Sequence, residues 1–367
     1  MTVQGPLLFR PSMVDPQESE AGGGKRKRFF NTVAGLLKTG GYRGRSILNG
    51  IVGNHLHRQA PALAIPFQLR SGGRTLALTK KDLADAIESP SNKICVFVHG
   101  LTDDELVWNY KREPGRNYGM LLERDLAYTP LFVRYNTGLH VSENGRLFAE
   151  MMEQLFKNYP HRINEITMIG HSMGGLVTRS AASYATDKKK KWVRRLKNVI
   201  MIGTPHLGAP LEKLGHIATR TLLSIPLLPT RIVGRVANMR SDGIKDLRHG
   251  YTEDREWSDG SQDRWFSLNK SEVQLLKHVR YFVISGSLTR NPDHPVSFIL
   301  GDSLVRNASA SGKSIVPEFE LKLSPDRCRQ FPGFSHASLA HHPAVYRQLR
   351  KWLQQNSDWI AGEPKRF

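Results

Sequence analysis

The segment Glu165 to Ser180, reading EITMIGHSMGGLVTRS, constrains this chain more than any other. Ile166, Met168 and Ile169 close an apolar run of the kind buried in a parallel sheet, Gly170-His171-Ser172-Met173-Gly174 forms a turn, and Gly175-Leu176-Val177 opens a helix. A strand that passes so abruptly into a helix brings backbone against backbone, so Gly170 and Gly174 stand where a Cβ would collide. Ser172 is left at the tip of the bend, at the N-terminus of a helix whose first N–H groups have no internal partner. That is a nucleophile's position and also a field that stabilises an anion. In a chain with 32 glycines the G-x-S-x-G pattern is cheap alone; its place between an apolar strand and a helix start marks Ser172 as the candidate nucleophile.

Other apolar runs supply a sheet for this bend. Ile94 to Val98, Leu131 to Tyr135, Val199 to Ile202 and Tyr281 to Ile284 read as further strands. Helical patterns lie between them: Leu147, Phe148, Met151, Met152 and Leu155, and later Val345, Leu349, Trp352 and Leu353 after Pro343. Ile65 to Leu69 and Arg74 to Leu78 flank Ser71-Gly72-Gly73 and read as an edge hairpin, followed by a short helix with capping spacing at Thr79 and Asp82. Strands alternating with helices predict an α/β fold with a mostly parallel, doubly wound sheet, and functional groups at the C-terminal ends of its strands. Residues 1–60, with Gly22-Gly23-Gly24 as a linker signal, are expected to form a basic, partly helical extension, and 61–367 the main domain. The stretch from about 209 to 278 has no clear strand and contains Leu222-Leu223-Ser224-Ile225-Pro226-Leu227-Leu228-Pro229; it is expected to be a cap over the serine.

A serine hydroxyl needs a base to take its proton, and the base needs a carboxylate to fix its tautomer. In the chain order acid then histidine, Asp302 in Gly301-Asp302-Ser303-Leu304-Val305 is the chosen acid. Asp293 competes, but Asn291-Pro292-Asp293-His294-Pro295 reads as a turn. His336, in the loop Pro332-Gly333-Phe334-Ser335-His336, is the chosen base, with His341 and His342 as rivals beside Pro343. His206 precedes the acid and breaks the order. The oxyanion formed in acyl transfer needs two N–H donors; Met173 follows the nucleophile, and Leu101 lies in the loop after the Ile94 to Val98 strand.

Together Val98-His99-Gly100-Leu101, Gly170-His171-Ser172-Met173-Gly174-Gly175, Gly203-Thr204-Pro205-His206-Leu207-Gly208 and Gly301-Asp302-Ser303-Leu304-Val305 resemble the α/β-hydrolase lipases and esterases. The nearest branch holds bacterial triacylglycerol lipases and GPI inositol-deacylase-like proteins. The resemblance runs from about Ile94 to Leu353, and Ser303 stands where the family usually has glycine. It implies a Ser172, Asp302, His336 triad, Leu101 and Met173 as oxyanion donors, and hydrolysis of carboxylic esters, lipid esters among them, with no metal or cofactor. Gly301-Asp302-Ser303-Leu304 also spells the nucleophile motif of another hydrolase class. Enzymes of that class resemble one another in carrying the motif early and an Asp-x-x-His pair near the end, whereas here it is late and Asp326 is followed three residues on by Arg329. An acyltransferase or thioesterase with the same triad, and a non-catalytic membrane- or nucleic-acid-binding protein on this scaffold, remain the alternatives.

Charge bears on partners and location. Fifty-three Lys and Arg against 33 Asp and Glu give a formal +20. Lys25-Arg26-Lys27-Arg28 precedes Phe29-Phe30 and an aliphatic stretch, which suits contact with an anionic membrane, while Lys188 to Lys191 suits a solvated loop. No zinc-finger or RNA-binding pattern accompanies either run, so nucleic acid is not an expected partner. Two cysteines, Cys95 and Cys328, cannot build a disulfide framework, and the N-terminus lacks the pattern of a signal peptide; a cytoplasmic, membrane-associated protein is expected.

Overall fold

A computed structural model describes residues 42–113, 115–209, 240–258, 275–287, 321 and 323–361, with side chains described as far as residue 355. The described residues begin with a helix over 42–59, α1. After it come β1 (Gln68–Ser71), β2 (Arg74–Thr75), α2 (Lys80–Ala86), β3 (Lys93–Val98), α3 (Tyr118–Leu126), β4 (Thr129–Arg134) and α4 (Val141–Asn158). The second half supplies β5 (Glu165–His171), α5 (Met173–Asp187), β6 (Leu196–Ile202), α6 (Asp242–His249), β7 (Arg280–Ser287), β8 (Cys328–Pro332) and α7 (Pro343–Ala361).

The strands join in one sheet in the order β2-β1-β4-β3-β5-β6-β7-β8. Strand β1 pairs antiparallel with β2 and β4, and every pairing from β4 to β8 is parallel. The expected hairpin is present at the sheet edge, with Gly72 and Gly73 at φ +52° and +78° in its turn. Thr79 Oγ1 accepts the Asp82 N–H at 3.1 Å and caps α2.

Strand β5 is central and buried along its whole length. Alternate residues serve opposite faces, as a pleated strand requires. Val96, Val98, Met168, Val199 and Met201 join the core beneath α4 and α5, and Cys95, Phe97, Ile169, Ile200 and Ile202 join the core beneath α3 and α7. Helices on both faces of a mostly parallel sheet make this the α/β-hydrolase fold that the motifs imply.

Two elements carry no clear pattern in the sequence. Strand β8 is half-exposed along CRQFP and shows no apolar run. Helix α3, YGMLLERDL, is short and starts on Asn117, whose side chain accepts the Met120 N–H at 3.0 Å. Helix α1 is the described part of the partly helical extension expected for residues 1–60, and it is buried at every position from 46 to 54. Its packing runs across residue 60: Arg45 donates to Leu63 O and Ala64 O, and Asn49 Oδ1 accepts the Ile65 N–H at 2.9 Å.

Candidate active site

Ser172 links β5 to α5 with φ 55° and ψ −124°, a conformation that side-chain-bearing residues avoid. The bend is fixed on both sides. Ser172 N–H donates to Ile202 O at 2.8 Å and Gly175 N–H donates to Ser172 O at 3.1 Å. A Cβ on Gly174 would lie 2.1 Å from Val98 O, and one on Gly170 would lie 2.5 Å from Gly175 N. Both glycines are therefore required by the close approach of β3, β5 and α5. Met173 is the first residue of α5 and is fully buried.

The loop after β3 runs beside the serine. A Cβ built on Gly100 would lie 3.4 Å from Ser172 Oγ, which places the His99-Gly100-Leu101 backbone against that serine. His99 is fully buried, its ring stacks on Tyr135 with centroids 4.5 Å apart, and its carbonyl accepts the Tyr135 hydroxyl at 2.8 Å. Burial holds its pKa below the ordinary histidine value.

His336 is half-buried at the start of a short 3-10 turn, Ala337–Ala340, ahead of α7. Its carbonyl accepts a hydrogen bond from His171 Nε2 at 3.1 Å, and the two rings lie 4.7 Å apart. Burial first, and His336 second, push His171 well below the ordinary histidine range. A neutral ring that must donate from Nε2 has only one tautomer available. The residue next to Ser172 thus ties down the segment that carries His336.

The rival histidines have other partners. His342 Nδ1 accepts the Ala344 N–H at 3.1 Å in the first turn of α7, and its backbone is bracketed by the Tyr118 hydroxyl. His206 is fully buried beyond the end of β6. Asp302 and Asp293 both lie outside the described residues, as does the Leu222 to Pro229 stretch of the cap and the Lys25 to Arg28 run.

One carboxyl group near His336 was not singled out from the sequence. Asp103 is half-buried in the loop after β3; burial and then Asp104 push it up to about 7, with His336 and Arg43 pulling the other way. Its only sequence signal is its place two residues beyond Leu101 in Leu101-Thr102-Asp103-Asp104.

Part of the expected cap is described. Helix α6 is tied to the body by Asp246, whose carboxylate meets His140 Nδ1 at 3.1 Å and accepts the Val141 N–H at 2.8 Å. Trp257 stacks on the His140 ring with centroids 3.8 Å apart. In the second basic run, Lys190 Nζ meets Glu150 at 2.7 Å. Among the described residues no cluster of His, Cys, Asp and Glu could hold a metal ion, and no helix is long and apolar enough to cross a membrane.

Residues 88–228 match the protein family described as "Putative serine esterase (DUF676)". The match takes in β3, the loop after it and the Ser172 bend. No curated protein matches the chain. Among solved structures, the mature lipase BlEst2 of Bacillus licheniformis is 16% identical, covering 73% of this chain and 95% of that one at a TM-score of 0.44. Lipase 1 of Pelosinus fermentans is 14% identical, covering 75% and 100% at 0.43. The Pyrococcus furiosus esterase Pf2001 is 15% identical, covering 73% and 82% at 0.40.

Proposed function

We propose that the chain is a carboxylic ester hydrolase of the α/β-hydrolase lipase and esterase kind, working through an acyl-enzyme on Ser172 with lipid esters as substrates. The observation that carries this reading is the conformation of Ser172: a buried serine held at φ 55° between the central strand and a helix N-terminus. Strain of this kind persists only where the surroundings over-determine it.

In the proposed reaction Ser172 Oγ attacks the ester carbonyl carbon while His336 takes the hydroxyl proton. The N–H groups of Leu101 and Met173 hold the oxyanion. Collapse of the tetrahedral intermediate breaks the bond to the alkoxide, which leaves with the proton from His336. Water, deprotonated by His336, then attacks the acyl carbon and frees the acid and Ser172. Asp302 accepts the second ring N–H of His336 and stabilises the imidazolium. The apolar stretch Leu222 to Leu228 in the cap suits an acyl chain.

A fluorophosphonate probe tests the nucleophile. It labels the wild type at Ser172 and does not label Ser172→Ala; labelling that survives the substitution refutes the assignment. A panel of esters of rising acyl length, read as kcat/KM, tests the lipid preference, which fails if short water-soluble esters are the best substrates. We also propose that the protein is cytoplasmic and meets anionic membranes through the basic stretch at Lys25 to Arg28. Removing residues 1–40 then weakens co-sedimentation with anionic liposomes, and equal binding by the truncated form overturns this.

A further inference from the structure

Helix α1 lies against the loops that follow β3 and β4, and its two glycines mark the contacts. A Cβ on Gly50 would lie 2.6 Å from Thr102 Cγ2 and 2.8 and 2.9 Å from Thr102 N and Cα. One on Gly53 would lie 1.9 Å from Asn136 Oδ1, and Asn136 Nδ2 donates to Gly53 O at 3.0 Å. The Gly138 Cα sits so close that a Cβ there would meet Asn49 O at 2.2 Å. Across the helix, Ser241 Oγ donates to Gly50 O at 2.7 Å.

Thr102 is the residue that α1 presses upon, and it is strained. It is the third residue of a turn closed by Asp103 N–H to Gly100 O at 3.3 Å, and its φ is +63°. A turn with positive φ at the third position favours glycine, and a β-branched residue there is an outlier. Two external contacts hold it: its N–H donates to Thr137 Oγ1 at 3.2 Å, and Gly50 leaves room for its backbone and methyl group. Thr137 lies in the same loop that Gly53 and Asn49 fix. Leu101 is the second residue of this turn, so relaxation of Thr102 rotates the peptide that joins the two and shifts the Leu101 backbone with it.

We propose that α1 is part of the oxyanion machinery: Gly50 and Thr137 are positioning residues that hold Thr102 in its left-handed turn and thereby aim the Leu101 N–H at the developing oxyanion. The inference rests on the reading of Ser172 as nucleophile and Leu101 as donor. It gives α1, which no catalytic motif touches, a role in the rate of the chemical step. Misaiming one donor loses part of the roughly 10²- to 10³-fold that such a donor contributes.

The test uses the full chain, an ester substrate and an arylboronic acid as transition-state analogue. Ester turnover by the wild type, lost in Ser172→Ala, comes first; if it is missing, the hydrolase reading fails rather than this one. Thr137→Val keeps the shape and removes the acceptor. It lowers kcat about 10- to 100-fold with KM within about twofold, and raises the boronate inhibition constant by the factor lost in kcat/KM. Thr137→Ser keeps the acceptor and the rate. Gly50→Ala shows the same split, and adding Thr102→Gly, which removes the nearest contact and accepts positive φ, restores part of kcat. Should Gly50→Ala fail to fold, the Thr137 pair decides. Wild-type kcat in Thr137→Val, or a loss of kcat with boronate affinity unchanged, overturns the proposal.

Discussion

Replacing Ser172 by alanine and by glycine separates the chemistry of the hydroxyl from the strain of the bend. Both variants lack the nucleophile and lose hydrolysis. Only glycine relieves the backbone, because φ 55° with ψ −124° lies outside the regions open to residues with a Cβ. Such a residue stores about 1–3 kcal/mol. Glycine returns about 0.5–1 kcal/mol of that through its freer unfolded chain. The Ser172→Gly protein is therefore more stable than the Ser172→Ala protein by about 0.5–2 kcal/mol. Unfolding entropy of about 2.1 cal/mol/K per residue over 367 residues gives about 0.8 kcal/mol/K, so the difference in melting temperature is about 1–3 °C. The urea midpoint should move the same way. Ser183, half-buried in the middle of α5, supplies the control: there a glycine substitution is less stable than an alanine one by about 1 kcal/mol. If Ser172→Gly melts at or below Ser172→Ala, the bend is not strained and the argument from its conformation is wrong.

Three more outcomes follow from the site and its supports. Asp302→Asn lowers kcat about 10³- to 10⁴-fold while Asp293→Asn costs under about tenfold; steady-state kinetics in which Asp293→Asn is the worse variant would move the acid role there. Asp103→Asn removes the carboxyl that burial and Asp104 push up to about 7. The proton held by that carboxyl stabilises the fold below its ordinary pKa, and the gain is lost as pH rises to about 7. The variant's melting temperature therefore rises relative to the wild type between about pH 4 and pH 8, and an unchanged difference refutes the shift. The junction between α4 and α6 should loosen as pH rises. Burial pushes Asp246 up to about 6, and stability from its protonated form is lost between about 4 and 6 as pH rises. At His140 burial acts downward, but Asp246, then Asp242 and Glu143, outweigh it and raise its pKa, so its stabilisation is full below the ordinary value and lost as pH climbs through the raised one. Both shifts have the same sign, and the Arg58 contact with Asp242 is long, at 3.7 Å, with the Arg58 side chain exposed. Protection factors of the α6 amides, with rates corrected for base-catalysed intrinsic exchange, are therefore higher at about pH 5 than at about pH 8, and His140→Ala flattens the difference; lower protection at pH 5 contradicts the assignment.

The strands that form the sheet's centre were legible because burial on both faces writes an uninterrupted apolar run. Ile94 to Val98 lies within β3 and Val199 to Ile202 within β6. The same rule hides β8, where Arg329 and Pro332 are open to solvent. Helix α1 was legible only weakly, since Ile47, Leu48, Ile51, Val52 and Leu56 keep helical spacing but Ser46, Asn49 and Asn54 are buried with them. At the site, Ser172 could be found because its glycines are demanded locally, within three residues. The candidate base His336 is distant in sequence, in the segment just ahead of α7, where spacing carries little information, and Asp302 lies outside the described residues. Asp103 escaped notice because nothing local distinguishes it from Asp104; what sets it apart is the approach of His336 from the other end of the chain.

A sheet buried on both faces raises a question of register that apolar residues cannot answer. If β5 slipped by one residue against its neighbours, one apolar face would replace another and no hydrophobic surface would meet water. Ser172 would nevertheless leave the bend. Polar groups at the opposite end of the strand decide the register. Glu165 opens β5 in a buried site, accepts hydrogen bonds from the Tyr128 hydroxyl and from Asn198 Nδ2 at 3.0 Å, and lies beside Thr167, whose Oγ1 accepts the same amide at 2.9 Å. Asn198 Oδ1 in turn accepts Arg280 Nη2 at 2.8 Å, so β5, β6 and β7 are pinned together. Next to this cluster β6 carries an extra residue opposite Ile166 and Thr167, an irregularity that a slipped pairing could not share. Any other register leaves a buried carboxylate without donors, at a cost of several kcal/mol. The strained serine at one end of β5 can persist because a satisfied carboxylate at the other end permits only one alignment.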